Sequence, residues 1–175
     1  MTASTQNVTR KNKSTSSAAD TTTRIQSHNY DYDVIIVGGG IVGCALSTNL
    51  AKQGRSVLVI ERDLSKPDRI IGELLQPGGV ARLTELGMAE CLEGIDSPKI
   101  TGYGVFHQEE DVHLPYPKSP ETGEAPFGRS FHYGRFIMNL RKFASQQSGL
   151  KIIQGAVSKL IEREEGVVTG VNYLD

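Results

Sequence analysis

The sequence has little of what would mark several common classes of protein. Its 175 residues include only two cysteines, Cys44 and Cys91, whose separation makes neither a metal-ligand pair nor a disulfide framework. That usage fits a reducing compartment or a surface facing the cytosol. Cys44 falls in the first turn of a proposed helix, where a packed small hydrophobe accounts for it better than a reactive thiol does. Charge of one sign is also lacking, because 19 Lys and Arg stand against 20 Asp and Glu with no dense basic block. Binding along a nucleic acid needs clustered cations, so nucleic acid is excluded as the main partner. No run approaches the roughly 20 apolar residues that span a bilayer. The first residues lack the apolar heart of a signal peptide. No cluster has metal-ligand spacing, so no metal is expected, and His107, His113 and His132 read as surface or hydrogen-bonding residues. No nucleophile and base stand out as a pair.

What is present begins at Val34-Ile35-Ile36-Val37, an apolar run of strand length that empties into Gly38-Gly39-Gly40-Ile41-Val42-Gly43. A helical stretch follows, then a second apolar run, Val57 to Ile60, ending on Glu61. This is the order that a βαβ dinucleotide-binding unit requires. Gly38 permits the tight turn, Gly40 lets the backbone approach a pyrophosphate, and Gly43 lets the helix pack close to the strands. The N-terminus of the helix offers N–H groups and a positive dipole end to the phosphates. Glu61 is placed to accept hydrogen bonds from ribose hydroxyls, and its carboxylate would repel the extra phosphate of NADP.

The pattern predicts strands over 33–37 and 56–60, the first of them central in a parallel sheet, with a helix over 41–53 stopped by Gly54. Pro67, Gly72 and Pro77-Gly78-Gly79 then interrupt the chain, so no ordinary third βα unit follows promptly. Val80, Leu83, Leu86 and Met88 recur at helical spacing. Residues 103–106 and 112–114 read as strands, and 115–126 as a proline-rich loop. A helix is expected over 135–146 with Phe136, Ile137, Leu140 and Phe143 on its buried stripe. A short strand at 151–153 and a hairpin over 156–161 and 167–171 complete the chain. Residues 1–30, rich in Ser and Thr, are expected to be disordered, with a transit peptide as the lesser reading. The fold class expected is α/β, a Rossmann-like FAD-binding βαβ domain with the beginning of an inserted, mainly-β substrate domain, in an incomplete chain. The FAD-binding domain is assigned to 31–63 and 127–175, and residues 64–126 to the connection and the start of the substrate domain.

The fingerprint alone does not separate NAD from FAD; the segments after it do. Glu61-Arg62-Asp63, then Pro67-Asp68-Arg69-Ile70-Ile71-Gly72-Glu73-Leu74-Leu75-Gln76-Pro77-Gly78-Gly79, resembles the flavoprotein monooxygenases, and among them the squalene epoxidase family. Phe131-His132-Tyr133-Gly134-Arg135-Phe136-Ile137-Met138-Asn139-Leu140-Arg141 and Pro115-Tyr116-Pro117 carry the same resemblance. It implies FAD as cofactor, with Gly38, Gly40, Ile41, Val42, Gly43, Glu61, Arg62, Arg69, Arg141 and Val157 at the cofactor and Tyr103 on the active-site face. Arg141 borders a buried helical stripe, so an outward-snorkelling guanidinium is the plain alternative to a diphosphate ligand. Tyr103 lies in a strand-like run where packing explains an aromatic equally well, and Val157 as plain core looks identical in sequence.

The resemblance further implies squalene as substrate and epoxidation to (S)-2,3-oxidosqualene with O2 in sterol biosynthesis. NADPH supplies the electrons through NADPH–cytochrome P450 reductase. The family is held at the cytosolic face of the endoplasmic reticulum membrane by a C-terminal region, and carries a later Gly-Asp flavin motif. Neither is found up to Asp175, so the chain is expected to be a fragment that is inactive alone. The alternatives are another FAD monooxygenase such as an aromatic hydroxylase, an NAD-dependent dehydrogenase, or a non-catalytic protein that keeps the flavin fold.

Overall fold

A computed structural model of the chain describes residues 5–9 and 31–175. In chain order the elements are β1 (Thr5–Thr9), β2 (Val34–Val37), α1 (Ile41–Lys52), β3 (Val57–Glu61), β4 (Leu74–Leu75), α2 (Pro77–Glu85), a 3-10 turn at Ala89–Leu92, β5 (Lys99–Ile100), β6 (Gly102–His107), β7 (Glu110–Pro115), β8 (Gly128–Ser130), α3 (Tyr133–Ser145), β9 (Leu150–Gln154), β10 (Ala156–Glu162), a second 3-10 turn at Glu164–Gly166, and β11 (Val168–Leu174). They divide into two compact units, one up to Ser65 and from Arg141 onward, the other Lys66–Leu140.

The first unit is built on a parallel sheet in the order β2-β3-β9, with Val34 opposite Val57 and Val57 opposite Leu150. Val57, Leu58, Val59 and Ile60 are all buried, as a strand covered on both faces must be. The expectation that the first strand is central is corrected among the described residues: β3 holds that place, and β2 is only partly buried. α1 buries Cys44, Ser47, Thr48 and Ala51. It ends as the sequence predicts, with Gly54 at φ +80° and its N–H on the Ala51 carbonyl. An antiparallel sheet, β1-β11-β10, contributes Val171 and Tyr173 to a core cluster with Leu58 and Ile60. Ile35, Ile153 and Val157 pack against that cluster. Fully burying an aliphatic side chain stabilises by about 1.5–3 kcal/mol, so this double layer holds the glycine turn on a rigid base.

β1 departs from the expected disordered tail: Thr5–Thr9 pair with Thr9 opposite Gly170 and Thr5 opposite Leu174. The unpaired backbone edge of β11 gives a polar segment the hydrogen-bond partners that its own composition cannot supply. The rest of that tail lies outside the described residues.

The second unit has a small antiparallel sheet, β4-β8-β5, and a two-stranded hairpin, β6-β7, with Tyr103 opposite Leu114. Leu83, Met88, Cys91, Leu92, Ile95, Phe131, Phe136, Ile137 and Leu140 are its buried hydrophobic residues, and the Phe131 and Phe136 rings lie 4.5 Å apart. One expectation changes here. Pro77-Gly78-Gly79 forms the first turn of α2 rather than an interruption, since proline at the first helical position lacks only an N–H that would have no partner. Residues 127–140 fall within this compact unit, where β8 pairs with both β4 and β5. In the last turns of α3, Phe143 is only half-buried and Ala144 takes the buried place.

Candidate functional site: a glycine turn clasped by an acid and an arginine

The turn after β2 is shaped by two glycines for separate reasons. Gly38 has φ +105°, which a side chain rarely tolerates, and its N–H donates to the Ile60 carbonyl at 2.8 Å. At Gly43, a Cβ would sit 1.9 Å from the Gly38 carbonyl oxygen, so the helix can approach the turn only without one. Gly40, the N-cap of α1, differs: its φ of −86° suits any residue, and a Cβ there would meet nothing within 4 Å. Neither conformation nor a neighbour among the described residues demands glycine at position 40. Beside it, Ile41 and Val42 begin α1 half exposed and largely exposed, at 37% and 77%. Their N–H groups belong to the first turn, which has no intrahelical acceptors.

Glu61 ends β3 with its carboxylate turned onto this loop. Its Oε2 accepts the Gly39 N–H at 2.6 Å, and its Oε1 accepts the Asp63 N–H at 3.0 Å. Arg141, in the last part of α3, is 8% exposed and reaches the same loop across 102 positions of sequence. Its Nε donates to the Gly39 carbonyl at 2.9 Å, its Nη1 to the Ser65 carbonyl at 3.2 Å, and its Nη2 lies 3.6 Å from Glu61 Oε2. Asp63 accepts the Ser65 N–H at 2.8 Å. The Ser65 side chain and backbone hydrogen bonds, with Arg141 and Arg62 adding charge, hold its carboxyl below the usual carboxylate range. Arg62 itself is exposed, and Val157 packs half-buried against the core cluster. The structure therefore brings Gly38, Gly40, Ile41, Val42, Gly43, Glu61 and Arg141 together in one unit.

Arg69 and Tyr103 belong to the other unit. The Arg69 guanidinium lies over the Tyr133 ring at 5.9 Å. With Lys66, Glu73, His132 and Arg135 it lines a cavity of about 210 Å³. Glu73 accepts the Tyr133 N–H at 3.0 Å at the start of α3. Tyr103 accepts a hydrogen bond from the Gln76 amide at 2.6 Å, and the Tyr116 hydroxyl donates to the same amide at 2.8 Å. Burial, and then the hydrogen bond and charge of Tyr103, push the Tyr116 phenol above its ordinary 10.0. Gln76, Tyr116 and Glu73 were not singled out from the sequence. The signal was their place inside the segments that carry the family resemblance. Among the described residues no group of His, Cys, Asp and Glu is arranged for a metal ion, and no helix is long and apolar enough to cross a membrane.

Residues 33–67, which contain the glycine turn and Glu61, match the FAD dependent oxidoreductase family model. Over 142 residues, 81% of the chain, the sequence is 50% identical to squalene epoxidase erg1 of Schizosaccharomyces pombe. Over 147 residues, 83% of the chain, it is 49% identical to squalene monooxygenase of Mus musculus. In the stretch they share, the chain is similar to squalene epoxidases. It spans 31% of the length of the first relative and 25% of the second. Among solved structures, the chain is similar to the flavin-dependent brominase Bmp2, at TM-score 0.65 and 26% identity, covering 81% of this chain and 33% of that one. It also resembles PqsL, a probable FAD-dependent monooxygenase from Pseudomonas aeruginosa, at TM-score 0.62 and 18% identity, covering 78% and 36% of the two chains. The second likeness shows the fold alone.

Proposed function

We propose that this chain is the FAD-binding portion of a squalene epoxidase. The observation that carries the reading is Gly40, whose missing side chain leaves space that no atom of the described residues claims, beside the open first turn of α1. A diphosphate fits there: it is anionic, needs close backbone approach, and takes the N–H groups of Ile41 and Val42 at the positive end of the helix. Glu61 keeps acceptor capacity beyond the Gly39 and Asp63 N–H groups and takes the adenosine ribose. Val157 and Arg62 flank the adenine side. Arg69 and Tyr103 serve the flavin and substrate side of the complete protein.

The bound FAD supplies the oxygen-transfer chemistry, by which squalene, O2, NADPH and a proton yield (S)-2,3-oxidosqualene, water and NADP⁺. The residues of this chain bind and orient the cofactor. No acid–base pair is needed among them for that work. NADPH–cytochrome P450 reductase is the electron donor, and the cytosolic face of the endoplasmic reticulum membrane the place. The resemblance to squalene epoxidases, at 42–50% identity, is what supports this part of the reading. The test is a chimera in which the matching segment of the fission-yeast relative is replaced by that of this chain. Oxidosqualene formation with O2, NADPH and reductase is the expected result, and a folded chimera that binds no FAD refutes the reading. The 175-residue chain alone is expected to form no oxidosqualene.

A further inference from the structure

We propose that Tyr116 is a positioning residue, holding the Gln76 amide in the one orientation that directs the Tyr103 hydroxyl proton outward. The consequence for the reaction rests on the reading that Tyr103 serves the substrate side, while the triad itself stands on the ligand-free geometry. The Tyr116 hydroxyl donates to Gln76 Oε1 at 2.8 Å, and Gln76 Nε2 donates to the Tyr103 hydroxyl oxygen at 2.6 Å. The two rings meet edge to face, with centroids 5.7 Å apart and planes at 80°, and both hydroxyls converge on one amide. Each anchor is fixed by its backbone. Gln76 is the N-cap of α2, and its carbonyl accepts the Gly79 and Val80 N–H groups at 2.9 and 3.1 Å. The Tyr116 N–H donates to the Thr101 carbonyl at 2.9 Å, which ties the residue after β7 to the residue before β6. Gly102 permits that close approach, since a Cβ there would lie 2.4 Å from the Leu114 carbonyl oxygen.

An amide has a donor end and an acceptor end, so two phenols held on it cannot play the same part. The phenol at Oε1 must donate, and the phenol at Nε2 must accept and turn its own proton elsewhere. Burial decides which is which. Tyr116 is half-buried, and an enclosed donor without an acceptor is costly, so its proton is the one spent inside the triad. Burial and Tyr103 also raise the Tyr116 phenol, so it keeps the proton it donates. Tyr103 is 47% exposed and lines an open cavity of about 480 Å³ with Phe106, His113 and Leu114. Its proton meets whatever acceptor atom enters from that side. Squalene is a hydrocarbon and carries no such atom, whereas the oxygen delivered to it is one. Without the Tyr116 hydroxyl, Gln76 Oε1 is left to capture the Tyr103 proton by a turn of the amide, and the outward donor is lost.

The experiment begins with the full chain, without ligand, and follows water exchange of the Gln76 side-chain amide protons by NMR. Tyr116→Phe keeps the ring and loses only the hydroxyl. In it that exchange is expected to rise about tenfold, although the lost hydrogen bond is to Oε1 and not to the nitrogen that carries the protons. The Gln147 amide, which donates to the Phe143 carbonyl, stays unchanged. The fission-yeast chimera, with FAD, O2, NADPH and reductase, then gives the kinetics. There Tyr116→Phe is expected to lower kcat about tenfold and to leave KM for squalene within about twofold, because the donor serves oxygen and not the hydrocarbon. Gln76→Glu offers acceptors only, so Tyr103 must donate inward; kcat falls at least as far, and adding Tyr116→Phe costs nothing more. Unchanged Gln76 exchange in Tyr116→Phe overturns the proposal. So does a rise in KM at constant kcat, or losses that multiply in the double variant. If the chimera binds no FAD, the reading under Proposed function fails, and the amide exchange still decides the triad.

Discussion

Replacing Gly43 with alanine sets the packing of the glycine turn against the intrinsic preference of a helix. Alanine is favoured over glycine inside a helix by about 1 kcal/mol, so local propensity alone predicts stabilisation. The structure predicts the opposite, because the new Cβ would lie 1.9 Å from the Gly38 carbonyl oxygen. Van der Waals contact requires the two to part by more than roughly 1 Å, in an interior packed as densely as an organic crystal. The carbonyl has no easy retreat: Gly38 is held at φ +105° with its N–H on Ile60. The start of α1 must move instead, and forced overpacking of this kind costs about 1–3 kcal/mol. Taking the upper part of that range against the propensity gain leaves a net loss of about 2 kcal/mol, or about 4–8 °C in Tm for a chain of this length. Thermal melting followed by circular dichroism measures it. Gly40→Ala is the control, with an ordinary φ and no neighbour within 4 Å. Its Tm should stay at the wild-type value while FAD affinity falls at least about tenfold, an effect of about 1.4 kcal/mol. A Gly43→Ala chain that melts at or above the wild-type temperature refutes the packing argument. Equal destabilisation by the two substitutions refutes the division of roles between the glycines.

Two further outcomes follow from the second unit. Phe136 is fully buried beside Phe131, so Phe136→Ala should lose about 3–5 kcal/mol in urea unfolding. The exposed Phe106 replaced by alanine should change stability by no more than about 0.5 kcal/mol, and similar losses at both positions would contradict the assigned core. Tyr116, with its phenol raised above 10.0 by burial and by Tyr103, contributes stability that is fully present below that value and is lost as pH rises through the folded value. In a phenolate absorbance titration of the six tyrosines, Tyr116→Phe should remove a component that ionises above 10.0. A titration in which nothing ionises later than a free tyrosine would remove the basis for this.

The local parts of this protein were legible because their physics is local. The continuous apolar runs of Val34–Val37 and Val57–Ile60, the helical stripe of α3 and the stop at Gly54 are fixed by neighbours a few residues away. The fingerprint named its own glycines, and the distinction between them needed coordinates. Gly38 answers to its own backbone angle, Gly43 to a carbonyl five residues back, and Gly40 to neither. The three-residue β8 carries too few side chains to show a period, and its pairing with β4 and β5 is visible only in the fold. Pro77-Gly78-Gly79 reads as a turn by composition, and only the hydrogen bonds of the following turn make it a helix start.

By itself, then, the sequence determined that there is a dinucleotide-type βαβ unit, which family its motifs resemble, and which residue types stand near the turn. The tertiary structure decided what those residues touch. Arg141 lies 102 positions from Gly39, and nothing in helical periodicity distinguishes a guanidinium turned onto the glycine turn from one that snorkels outward. That choice depends on the direction of one hydrogen bond, and directions between distant segments exist only once the chain has folded.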